Sequence, residues 1–111
     1  MIHLPLPAAV AAYFAADQQN NPEAVARCFG ADGVVVDEGA VHVGPTAIAA
    51  WKDSASARFR YHCEPLHLAS TSGDRHTVTG RLTGDFPGSP IELRYAFTVD
   101  GDALARLEIG A

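Results

Sequence analysis

The sequence predicts an α+β domain, with helices first and a mainly antiparallel sheet after them. Three observations predict it. Before Arg58, apolar residues recur mostly at three- and four-residue spacing, the period of a helix face. After Arg58 the period becomes two, the period of a half-buried strand. Asp100-Gly101 is a hairpin signal between the last two strands.

The elements follow in order. Pro7 suits a first helical turn, and Ala8 to Gln19 reads as a helix with Val10, Tyr13, Phe14 and Asp17 toward one face. Asn20-Asn21 breaks it. Asn21 then caps a second helix, with Pro22 in the first turn and Glu23 near the positive end of the dipole. Val25, Cys28 and Phe29 are expected as its buried stripe and Gly30 as its stop. Val34-Val35-Val36 is a short β-branched strand, Glu38-Gly39-Ala40 a turn, and Val41-His42-Val43 the return strand. Gly44-Pro45-Thr46 opens a third helix with Ile48, Trp51 and Ala55 on one face, fading around Ser54 to Ala57.

From Phe59 to Ser70 the chain reads as a strand that Pro65 bulges or confines to an edge. A turn at Ser72-Gly73-Asp74 leads into His76 to Phe86. There Val78, Gly80, Leu82 and Gly84 alternate with Thr77, Thr79, Arg81 and Thr83. The glycines would let that strand bend or admit something close to its backbone. After the loop Pro87 to Pro90, Ile91, Leu93, Tyr95, Phe97 and Val99 share one face, and Leu104 to Ile109 closes the sheet. Helices segregated from an antiparallel meander define the α+β class, and the apolar strand faces require the helices as cover.

At 111 residues the chain fits one domain able to bury a core without disulfide or metal staples. A net charge of −5 with no Lys/Arg cluster excludes nucleic acid and anionic membrane as main partners. Ala8 to Ala16 is too short to span a bilayer, and the N-terminal run Met1 to Pro7 lacks the basic residues of a signal peptide. Cytoplasm is the expected location. Cys28 and Cys63 lack metal-ligand spacing and read as buried thiols of a reduced compartment. No Ser-His-Asp order, phosphate loop or dinucleotide fingerprint occurs, so no cofactor is implied.

Tyr13-Phe14, Asn21-Pro22-Glu23-Ala24, Phe29-Gly30-Ala31-Asp32, Asp37, Gly44-Pro45-Thr46-Ala47-Ile48 and Trp51 occur in that order. The tail adds Tyr95 to Gly101 and Leu104 to Leu107. Together they resemble the nuclear-transport-factor-2-like superfamily, more narrowly the SnoaL-like polyketide cyclases and ketosteroid isomerases. The resemblance implies a cystatin-like cone: three helices on a curved, mainly antiparallel sheet enclosing a pocket. It implies a tyrosine donor on the first helix, at Tyr13, and an aspartate base ending the first strand, at Asp37. In that family the aspartate moves a proton on carbon beside a carbonyl and the tyrosine steadies the enolate, a case of general pKa tuning. The isomerases' second donor, a protonated aspartate, does not carry over; by hairpin register Tyr95 stands there. Ala111 follows soon after the last strand, so no C-terminal extension is expected to add a pocket wall. The resemblance also implies a homodimer through the outer sheet face, where Arg81, Glu92, Arg94 and Thr98 stand.

Each candidate has two readings. Asp37 is a base desolvated on the pocket side, or a strand-end aspartate entering a turn. Tyr13 and Tyr95 are donors to an oxyanion, or core aromatics. Val10, Phe14, Trp51, Phe86, Leu93 and Phe97 are expected as pocket lining. His42 orients Asp37 or faces solvent. His62 and His67, an odd number apart, point to opposite faces of a regular strand, which disfavours a metal site unless Pro65 shifts the parity. The expected activity is a cofactor-independent isomerase, cyclase or lyase acting on a small apolar carbonyl compound. The alternative is a ligand-binding or dimerisation module without chemistry.

Overall fold

The computed structural model describes residues 6–58 and 60–110. Residues 1–5, on which the targeting reading rests, Phe59, expected to open the third strand, and Ala111 lie outside the described residues. The element order is α1 (Ala8–Gln18), α2 (Pro22–Arg27), β1 (Phe29–Asp37), β2 (Ala40–Val43), α3 (Pro45–Arg58), β3 (Tyr61–Ser72), β4 (Arg75–Gly84), β5 (Ile91–Asp100) and β6 (Ala103–Gly110). The strands form one curved sheet in the order β2-β1-β6-β5-β4-β3. Among the described residues β1 and β6 pair in parallel and the other neighbouring strands are antiparallel.

The helices form where the local chemistry sets them. Pro7 sits at the N-cap of α1 with an extended ψ of 150°. The Asn21 side chain accepts from the Ala24 N–H at 3.1 Å, satisfying one of the orphan donors of α2. Val10, Tyr13 and Phe14 of α1, Val25 of α2 and Ile48 of α3 are buried against Val35, Val78, Phe97, Leu104 and Leu107 of the sheet. Each such large side chain contributes about 1.5–3 kcal/mol by leaving water.

Three expectations are corrected. α2 ends at Arg27, and Phe29 belongs to β1, not to the helix stripe. Here sheet pairing overrides the helical period: Phe29 pairs with Leu104, and the Cys28 carbonyl accepts from the Leu104 N–H at 2.8 Å. Gly30 therefore lies inside a strand. The register slips between Phe29 and Val34, where a Cβ on Gly33 would lie 2.6 Å from Phe29 Cβ, so only glycine fits the fold-back. Second, α3 runs to Arg58, one residue past the Ser54 to Ala57 stretch where it was expected to fade. Third, β4 stops at Gly84 and leaves Phe86 in the following turn.

Pro65 acts in both expected ways. β3 is an edge strand, and its register shifts between Pro65 and His67. The shift reverses side-chain parity. His62 and His67 pair with Thr83 and Thr79, which share a face, so the two histidines are on the same exposed face. Among the described residues no group of His, Cys, Asp and Glu is placed to hold a metal ion.

Candidate active site

The sheet brings Asp37 and Tyr95 into one row. Asp37 at the end of β1 pairs with Ile109 on β6, and Ile109 pairs with Tyr95 on β5. Asp37 shares its face with buried Val35 and Tyr95 shares its face with buried Phe97, so both point to the helix-covered side. Two strand spacings separate their backbones, roughly 10 Å. A cavity of about 420 Å³ opens over this row. Its polar lining includes Tyr13, Asp17, Asp37, Tyr61 and Tyr95, and its apolar walls include Trp51, Leu82, Phe86, Ile91, Leu93 and Ile109.

Asp37 is half-buried, and its Oδ2 accepts from the Trp51 indole N–H at 3.0 Å. Oδ1 has no hydrogen-bond partner among the described residues, which leaves it available to the cavity. His42 packs its ring against Trp51, centroids 6.2 Å apart, and is half-buried; it supports the indole and does not hydrogen-bond the carboxylate. Tyr13 is 1% exposed and packs against Phe14, Phe29, Tyr95 and Phe97 at centroid separations of 5.3–6.4 Å. Its hydroxyl has no hydrogen-bond partner among the described residues. Burial, with the Asp17 charge and the neighbouring Tyr95 adding to it, holds that phenol well above the ordinary tyrosine range.

Tyr95 is set by β3 and β4. The Cys63 thiol donates to its hydroxyl oxygen at 3.3 Å, so the phenol proton can turn to the cavity. Burial and the adjacent Cys63 push the Tyr95 phenol far above its usual range. Burial is the main cause that pushes the Cys63 thiol up to about 12. The ring needs Gly80: a Cβ there would lie 2.9 Å from Tyr95 Cε1 and 3.2 Å from Cys63 Sγ.

The structure thus brings Tyr13, Asp37 and Tyr95 to one cavity, with Trp51, Phe86 and Leu93 among its walls. Val10, Phe14 and Phe97, expected as lining, lie instead in the packed core. Val10 is a turn earlier on α1 and Phe97 two residues further along β5, both beyond the cavity floor.

One set of residues escaped the sequence reading. Lys52 of α3 is fully buried, and its ammonium donates to Asp17 Oδ1 at 2.9 Å, Tyr61 Oη at 2.9 Å and Asn20 Oδ1 at 3.3 Å. Burial alone would lower the lysine, but the Asp17 charge and the hydrogen bonds to Tyr61 and Asp17 outweigh it and hold its pKa above the ordinary value. A lysine kept charged with all three protons committed is no Schiff-base nucleophile. The one available signal was Asp17 on the buried stripe of the first helix, since a buried carboxylate requires a partner.

The architecture and the pocket define a small α+β protein of the cystatin-like, nuclear-transport-factor-2-like class. The model of the SnoaL-like domain matches residues 10–105, and the chain belongs to that family. A Sinorhizobium meliloti protein, named provisionally as a polyketide cyclase, is 43% identical, with 94% of each chain covered and a TM-score of 0.89. A protein of ketosteroid isomerase-like fold from Catenulispora acidiphila, solved with trimethylamine, is 25% identical over 98% of this chain and 87% of that one, TM-score 0.84. A cystatin-fold protein from Novosphingobium aromaticivorans shares the fold at 18% identity, 93% and 95% coverage and a TM-score of 0.76. No curated protein matches the chain.

Proposed function

We propose that this chain is a cofactor-independent enzyme that isomerises or cyclises a small, mostly apolar carbonyl compound. The observation that carries the reading is Asp37, fixed by Trp51 through one oxygen while the other is available to an apolar cavity shared with Tyr13 and Tyr95. Asp37 Oδ1 takes a proton from the carbon beside the substrate carbonyl, and the electron pair moves onto the carbonyl oxygen. Tyr13 and Tyr95 donate to that oxygen as its charge grows, which lowers the barrier because the donors are already in place. The enolate then recovers the proton at another carbon, giving an isomer, or attacks an electrophilic carbon of the same molecule, closing a ring. The name of the Sinorhizobium relative favours the second outcome. The test is deuterium uptake by a simple ketone such as 2-tetralone: wild type should accelerate it and Asp37→Asn should not.

Two further properties belong to this reading. The outer sheet face, of mixed charge with Arg81 3.9 Å from Glu92, suits a two-fold homodimer. Two free thiols suit the reducing cytoplasm, and no helix among the described residues is long and apolar enough to cross a membrane.

A further inference from the structure

The mechanism leaves one polar wall of the cavity unused. Tyr61 opens β3, four strands from Asp37 in the sheet, and lines the same cavity from that edge. Its oxygen accepts from the Lys52 ammonium, which Asp17 and Asn20 hold from the other side. A phenol oxygen occupied in this way has its own proton left to give. Among the described residues no hydrogen bond takes up that proton; the polar group beside it is Ser56, whose buried Oγ is unpartnered and stands close enough to lower the Tyr61 pKa. Burial and the Asp17 charge keep Tyr61 a neutral phenol, hence a donor, and the lysine's hydrogen bond polarises its O–H toward stronger donation. The neighbouring walls, Ala55, Leu82 and Phe86, offer nothing else polar.

We propose that Tyr61 is a second ligand-binding group of the cavity, donating to an acceptor oxygen of the substrate other than the reacting carbonyl, with Lys52 as its positioning residue. The substrate class is then an apolar, ring-sized skeleton bearing two separated oxygen functions, not a simple ketone. Which end reacts rests on the reading above; that Tyr61 binds an oxygen does not.

The test uses two ketones of nearly equal shape, 6-methoxy-2-tetralone and 6-ethyl-2-tetralone, which differ by one acceptor oxygen. The ratio of their dissociation constants is measured on the full chain. Tyr61→Phe should shift that ratio roughly tenfold against the methoxy compound, the worth of one hydrogen bond. The paired variant Asp17→Asn/Lys52→Met removes both charges together and should shift the ratio in the same direction with the fold retained by circular dichroism. A merely structural Lys52 would weaken both ketones equally, which would overturn its positioning role. A ratio unchanged by Tyr61→Phe overturns the proposal. Asp37→Asn should leave the ratio as in wild type, and a shift on Tyr61→Phe together with no deuterium uptake by wild type upholds the Tyr61 site while overturning the catalytic reading.

Discussion

The Trp51 indole N–H and the Asp37 carboxylate meet at 3.0 Å, joining the middle of α3 to the end of β1. This contact turns a strand-end aspartate, a residue type common before any turn, into a fixed group on a cavity wall. Trp51→Phe keeps the ring and removes the donor. The deuterium-uptake rate of a bound ketone should fall roughly tenfold, the kinetic equivalent of one hydrogen bond, while the melting temperature changes little. A rate equal to wild type would show that Trp51 is wall only.

Lys52→Met strands the Asp17 carboxylate in the interior. The expected cost is about 3–5 kcal/mol in urea unfolding, whereas removing both partners as Asp17→Asn/Lys52→Met should cost far less. Equal losses for the single and paired variants would contradict a buried ion pair.

The pH dependence follows from Tyr13, Lys52, Tyr61, Cys63 and Tyr95, all of which have raised pKa values in the folded protein. A group whose folded pKa lies above its unfolded value binds more protons folded than unfolded in the window between the two. Its contribution is complete below the unfolded pKa and is lost as pH rises. For Cys63 that window runs from the unfolded value of 9.0 to about 12. Stability should therefore decline steadily above pH 9, and native Cys63 should resist iodoacetamide at pH 8. Stability that rises between pH 9 and 11 would refute this account of the cavity.

The paired charges on the outer sheet face lead to the assembly prediction. Light scattering at micromolar protein should give twice the chain mass of 11.7 kDa. A monomer mass would remove the dimer.

Much of the fold was legible because period and punctuation agree: the cap at Asn21, the alternation from Ile91 to Val99 and the turn at Asp100-Gly101 each specify one local structure. The site was legible in part. Asp37 and Tyr13 were singled out by family resemblance, and both line the cavity. Helical spacing gave the face on which Val10 and Phe14 lie but not how far each sits from the cavity, so both were placed on its wall. Phe29 was lost to the helix because its partner, Leu104, is 75 residues away by numbering. Lys52 was hidden for the same reason: on an alanine-rich helix a lysine reads as solvent-facing until Asp17 and Tyr61, from two other elements, close around it.

The central claim is that Asp37 is the base. Proton NMR of 2-tetralone in D2O, with wild type and Asp37→Asn at equal concentration, measures it most directly. The account predicts that wild type exchanges the protons beside the carbonyl faster than buffer and that the folded Asn variant matches buffer. Tyr13→Phe should fall between them. Exchange by Asp37→Asn at the wild-type rate would contradict the claim.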